Sequence, residues 1–367
     1  MNHFGIVSFA IGVHKGYEQV RSAHIQIPIK LANLLSESGD KVTFFSNPIR
    51  KGTTLPKELN KINIVTIPDP RKRKSSAVMY SGFSKKIDVI NIIRGIYKII
   101  KYSKKTDLDV LHFINGSFSV GVYASIISIF LSKTKVFWTP SEVIKNHSGV
   151  LKYLYSFLDG MICHTDYLKF INSKLHKNIK TIKHGISRQI NLKNLRKTRV
   201  TFWRDPSYEN GADIAKLVFE KLAKEYPEII FTFMVRPYFD PIDLSFEINN
   251  VEVHDFPYKK EISLEKILSE TLVCFFPFRE FSTNPQLSIL ETLQVGIPCV
   301  CSDIESAREY GIEKSLLIKN NNITDYENAI RKVINNPENF KPKDPKKFGF
   351  TWENYLKQHI KMYNFKK

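Results

Sequence analysis

The sequence contains no run of about 18 uninterrupted apolar residues, so no segment is built to span a bilayer. Its opening, MNHFGIVSF, passes straight into a strand-like segment without a charged-then-apolar leader, and the chain reads as cytosolic. Cysteine is scarce. Cys163, Cys274, Cys299 and Cys301 sit in apolar, strand-like surroundings, and no paired Cys-x-x-Cys marks zinc, so buried free thiols are expected. The glycines after the first apolar run, Gly12 and Gly16, do not make Gly-x-Gly-x-x-Gly, which argues against a nicotinamide or flavin enzyme. Acidic residues are in deficit: 36 Asp and Glu stand against 55 Lys and Arg, a formal charge of +19. That balance attracts anions, whether phospholipid, nucleic acid or phosphorylated small molecules. Repeats and low-complexity tracts are also missing.

What is present is an α/β alternation. The 367 residues, 43% hydrophobic and 25% charged, suffice for two domains with full-sized cores. Apolar runs at 4–9, 41–46, 109–114, 135–139 and 160–164 read as buried parallel strands with helical segments between them. Residues 187–198 are polar and basic without a hydrophobic period, which sets a boundary near 190. Runs at 199–203, 229–235, 251–255, 273–276 and 299–301 repeat the pattern, giving domains over 1–190 and 191–347 and a terminal helix within 348–367.

Residues 275–303, FFPFREFSTNPQLSILETLQVGIPCVCSD, carry the most specific signal: strand, polar loop, helix, strand. Asn284 suits an N-cap and Pro285 the first helical position, so the amides of Gln286, Leu287 and Ser288 are expected to form an anion site at the strand end. Leu287, Leu290 and Leu293 supply an apolar stripe, Gly296 stops the helix and Pro298 forbids its restart. Glu291 shares a face with Ser288 and Asn284, which sets its carboxylate toward that site; the plain alternative is a solvated helix glutamate.

The segment NPQLSILETLQVGIPCVCSD resembles the donor-site segment of family 4 of the retaining GT-B glycosyltransferases, of the group 1 type. The resemblance implies two Rossmann-like α/β domains facing a central cleft, with a C-terminal helix crossing back to the first. It implies transfer of a sugar from a nucleotide-diphosphate sugar to a hydroxyl of a glycan or glycolipid acceptor, with no cofactor beyond the donor and no divalent metal. In that family a glutamate, seven residues and a second glutamate hold the donor; Glu291 falls on the second, at the ribose, and Thr283 stands in place of the first. Arg204 matches an arginine drawn to the diphosphate, Asn210 stands where a lysine is usual, and Arg236 is a replacement charge. Tyr258 lies where the nucleobase is met, and Gly12 and Gly16 belong to the loop beside the donor phosphates. His14, Lys15, Glu142 and His147 fall on the acceptor side, and the catalytic roles go to Arg204 and Glu291. Because the first glutamate, the lysine and an acceptor-side histidine are replaced, a catalytically silent GT-B scaffold and a sugar-nucleotide epimerase stay open as alternatives.

The region from Pro48 to Lys105 is basic. Pro70-Arg71-Lys72-Arg73-Lys74 precedes lysines alternating with Ile87, Ile90, Ile93, Tyr97 and Ile100 at helical spacing. Either a crossover helix packs that stripe on the sheet and leaves lysines in water, or helix and basic loop dock peripherally on an anionic membrane. Nucleic acid is not expected, because aromatic residues are not interleaved with the basic cluster. His112, inside a strand, reads as a packed histidine.

Overall fold

The apolar runs become parallel strands because each is covered on both faces. The computed structural model describes the chain except residues 10–12, 15–22, 50–52, 70–87, 142, 145–147, 187–189, 194, 237–239, 260, 280–284 and 364–367; at 13, 14, 23, 24, 115 and 320 only the backbone is described. Two units result, one of residues 1–185 with 351–367 and one of residues 186–350. The divisions at 185/186 and 350/351 lie a few residues from the sequence-based boundaries at 190 and 347.

The first unit runs β1 (His3–Val7), β2 (Val13–His14), α1 (Ala23–Glu37), β3 (Lys41–Ser46), β4 (Thr53–Thr54), β5 (Asn63–Thr66), α2 (Val89–Thr106), β6 (Val110–Gly116), α3 (Phe118–Ile129), β7 (Lys135–Pro140), α4 (Gly149–Tyr155), β8 (Gly160–Cys163), α5 (Asp166–Asn172) and β9 (Ile179–Thr181). The second runs β10 (Arg199–Phe202), α6 (Ala212–Glu225), β11 (Ile230–Val235), β12 (Val251–Asp255), α7 (Leu264–Ser269), β13 (Thr271–Phe276), α8 (Leu287–Gln294), β14 (Cys299–Ser302), β15 (Leu317–Ile318) and α9 (Ile323–Asn335). The last helix, α10 (Trp352–Met362), belongs to the first unit.

The first sheet has the order β5-β3-β1-β6-β7-β8-β9 with every pairing parallel, and β2 and β4 form a separate antiparallel ribbon. Helices α1 and α10 cover one face, where Ile27, Leu31 and Leu35 meet Phe4, Tyr355 and Tyr363. Helices α2, α3 and α4 cover the other, through Ile99, Tyr123, Ile127 and Tyr155. The second sheet, β12-β11-β10-β13-β14-β15, is also parallel throughout. All four cysteines are free and buried within strands, and burial pushes the Cys274 thiol up to about 12.

Helix α2 departs from the expected stripe. Asp88 caps it by accepting from the Asn91 amide at 3.1 Å, but the side turned to the sheet carries Ile92, Ile96 and Ile99. Ile90, Ile93 and Tyr97 point outward instead, Ile100 packs half-buried against the same core as expected, and Ile87 lies outside the described residues. Apolar residues cover about two thirds of this helix's circumference, more than the sheet can bury, so periodicity alone does not select the buried arc.

Helix α10 is seated by buried histidines. His112 Nδ1 lies 2.7 Å from the Tyr363 hydroxyl and its Nε2 lies 2.8 Å from Thr139 Oγ1, the packed role that its place in a strand implies. Burial, then the charge His359 would carry 5.5 Å away, holds the pKa of His112 well below the usual value. Burial likewise lowers His184 and His359 to about 4. These rings are neutral when folded, so the unfolded chain binds more protons below its own histidine pKa. Their contribution is complete above about pH 6.5 and is lost as pH falls toward 4. Urea unfolding of the first unit should therefore lose roughly 3 kcal/mol between pH 7.5 and 5.5 from His184 and His359 together. A pH-independent midpoint across that window would contradict neutral burial.

Candidate functional site

In the second sheet the chain moves outward from β10 through β11 to β12, then returns to the other side of β10 with β13. The reversal leaves a crevice at the carboxyl ends of β10 and β13, the place where parallel α/β sheets bind ligands. The loop 203–211 and residues 277–279 meet there, and because the sheet is parallel the residues after β11 and β12 emerge on the same edge.

A glycine brings the two loops together. Gly211 has φ 71°, and a Cβ on it would run into the Pro277 carbonyl oxygen, so no other residue fits between these strands' ends. The Arg279 amide donates to the Glu209 carbonyl at 2.9 Å, a second tie. A third lies below: the Trp203 indole donates to Thr292 Oγ1 at 3.1 Å, which fixes the residue before Arg204 against the residue after Glu291.

Three guanidinium groups follow three strands. Arg204 Nε donates to Asn210 Oδ1 at 3.3 Å, and its guanidinium lies 5.7 Å from the Phe278 ring centroid. Asn210 in turn donates to the Asp205 carbonyl at 3.2 Å and to Ser207 Oγ at 3.0 Å, so it shapes the turn that presents Arg204. Arg236 pairs with Asp205, Nε to Oδ1 at 3.2 Å, which draws the end of β11 onto the same loop. Arg279 forks onto the Asp213 carboxylate in the first turn of α6, with one arm at 2.6 Å, and lies over the Tyr208 ring at 3.9 Å. The Asp213 hydrogen bond raises its already high pKa. Sequence reasoning missed Arg279. The signal was its position, within three residues of the end of an apolar strand, which it shares with Arg204 and Arg236.

Helix α8 begins two residues later than the Asn284–Pro285 cap predicts. Gln286 is the N-cap, without a side-chain cap bond, and its amide donates to the Tyr310 hydroxyl at 2.9 Å. The Gln286 amide is thus already engaged. The Leu287, Ser288 and Ile289 amides have no acceptor within the helix and form its positive end. Tyr310 is fully buried, and burial pushes its phenol pKa up, which keeps it neutral and in place.

Glu291 is 5% exposed, which removes the solvated-glutamate reading. Ser288, one turn earlier on the same face, is buried, and its Oγ has no hydrogen-bond partner among the described residues. Tyr258 stands beyond β12 with its ring edge-on to Phe256 at 5.2 Å. Gly12, Lys15, Gly16, Glu142, His147, Thr283 and Asn284 lie outside the described residues, and His14 is described by its backbone in β2 only. The Asp107-Leu108-Asp109 sequence, an Asp-x-Asp pattern, serves the first sheet: Asp107 caps α2 in the left-handed region, and Asp109 Oδ2 accepts from the His3 amide at 2.7 Å.

Residues 185–350, the second unit almost end to end, match the family model described as glycosyl transferases group 1. No curated protein sequence matches the chain. Among solved structures, sucrose-phosphate synthase from Thermosynechococcus elongatus is similar at a TM-score of 0.68 and 13% identity, over 99% of this chain and 98% of that one. TarM is similar at 0.67 and 12% identity, over 100% and 99% of the two chains. The lipopolysaccharide outer core galactosyltransferase WaaB is similar at 0.65 and 15% identity, over 99% and 98%. At these identities the likeness is one of fold: the chain has the GT-B architecture of two parallel-sheet α/β domains.

The contact at Gly211 makes a direct prediction. Gly211→Ala should destabilise the second unit by at least about 2 kcal/mol, from the left-handed backbone and the blocked approach to Pro277. A denaturant midpoint equal to wild type would mean that the loops do not meet as described.

Proposed function

We propose that the protein is a retaining glycosyltransferase that moves a sugar from a nucleotide-diphosphate sugar to a hydroxyl of a glycan or glycolipid acceptor. The carrying observation is the carboxyl edge of the second sheet. Within the segment that matches group 1 glycosyl transferases, arginines and a helix start meet at the strand-order reversal, next to a buried glutamate.

The chemistry follows from charge. When the glycosyl bond breaks, negative charge grows on the departing diphosphate, and groups fixed beforehand at that place lower the barrier most. Arg204, whose Nε donates to Asn210 Oδ1, and the Leu287 and Ser288 amides are suited to that charge. Arg236 and Arg279 share their charge with Asp205 and Asp213, so their part is to hold the loops and add a weaker field. The Glu291 carboxylate is suited to accept hydrogen bonds from the donor ribose, and Tyr258 to flank the nucleobase. Gly12 and Gly16 on the donor side, and His14, Lys15, Glu142 and His147 on the acceptor side, remain proposals that rest on the resemblance. Retention rests on the same likeness, and charge neutralisation by these groups is the basis for proposing a metal-independent reaction. WaaB, a transferase acting on lipopolysaccharide by its name, supports a carbohydrate acceptor.

A thermal-shift screen with nucleotide sugars, run with nucleotide release measured in parallel, tests this reading. One donor should raise the melting temperature and be slowly hydrolysed. Arg204→Ala and Glu291→Ala should each lower kcat/KM by about a hundredfold while keeping the wild-type circular dichroism spectrum. Wild-type turnover in both variants would remove the site assignment, and a protein stabilised by no donor would favour the silent-scaffold alternative.

A further inference from the structure

The first unit carries a surface that sugar transfer does not require. Val89, Ile90, Ile93 and Tyr97 of α2 are 60%, 62%, 61% and 63% exposed. At 100° per residue they occupy an arc of about 100° on the outer side of the helix. Lys101, Arg94, Lys105 and Lys98 follow along the next 80° or so of the same exposed side, and α2 contains no acidic residue at all. Single exposed apolar residues are ordinary on any surface, but a contiguous stripe bordered by cations is not.

Further apolar exposure lies on the neighbouring helices. Helix α3 packs against both α2 and α4, and Phe118 at its start, Phe130 at its C-cap, and Val150 and Tyr153 on α4 are exposed. Charge is divided just as unevenly. The first unit holds 32 Lys and Arg against 12 Asp and Glu, whereas the second holds 23 against 24, so the whole excess of +19 comes from the first.

We propose that the α2–α3–α4 face of the first unit docks on an anionic phospholipid surface, with the α2 stripe entering the headgroup–acyl boundary and the adjoining lysines meeting lipid phosphates. A second copy of the chain is a poor occupant, because two such basic faces repel each other. Nucleic acid is poorly served by a mainly aliphatic stripe, since bases stack on aromatic rings. This inference does not depend on the proposed transferase activity.

Vesicle flotation tests it, using phosphatidylcholine alone and phosphatidylcholine mixed with phosphatidylglycerol. Wild-type protein should float with the mixed vesicles, weakly with the neutral ones, and detach as salt is raised. The Lys98→Gln, Lys101→Gln, Lys105→Gln triple variant should bind about a hundredfold more weakly. Ile90→Asn with Ile93→Asn, which leaves the charge unchanged, should also lose binding; both positions are exposed, and matched melting curves would verify folding. Neutralising Lys216, Lys224 and Lys332 in the second unit should change nothing. Failure of the wild type to float, equal binding to neutral vesicles, or wild-type flotation by the isoleucine variant would each overturn the proposal. So would a wild-type dimer that the isoleucine variant disperses with no change in vesicle binding.

Discussion

The hydrogen bond from the Trp203 indole to Thr292 joins the end of β10 to the middle of α8, and the arrangement of the second unit's edge depends on it. Trp203 and Thr292 are both buried, so losing Thr292 would strand the indole N–H without water, whereas Thr292 Oγ1 is also engaged by donating to the Ser288 carbonyl at 2.7 Å. Arg204 and Glu291 are the chain neighbours of the two residues that this bond joins. Gly211 acts one layer above. Its missing side chain lets the 203–211 turn lie against Pro277, and Arg279 then reaches across to Asp213. Parallel strands supply the rest, because each of them delivers its following residue to the same edge.

The two units solve different electrostatic problems. In the second, acidic and basic residues nearly balance, and arginines are held in local pairs with Asp205 and Asp213. Such pairing fixes the orientation of Arg236 and Arg279, and it also reduces the charge that each guanidinium offers to its surroundings. The first unit keeps its positive charge unbalanced, while its interior is apolar with neutral histidines under α10. Its excess charge therefore lies outside, where it acts on whatever the surface meets.

Much of the fold was legible in the sequence. Lys41–Ser46 and Val251–Asp255 appear as strands with the bounds their apolar runs indicate. Short elements were harder. Strand β5 and helices α4 and α5 span few residues, and their stability comes from neighbours rather than from local propensity. Asn284 and Pro285 have the right chemistry to start a helix, yet α8 starts at Leu287, with the Gln286 amide satisfied by Tyr310 from a distant turn. Local capping rules carry no information about a partner 24 residues away.

By itself the sequence determined the α/β class and the burial of the cysteines, because each follows from composition or apolar period. Only the tertiary structure decided which arc of α2 faces water, that Asn210 braces Arg204, that Arg279 joins the site and that Glu291 is buried. These facts depend on which strand lies beside which and on side chains far apart in the chain. Hydrophobic period reports that a face will be buried, while the choice among similar faces is made by the packing partners that the sheet order brings.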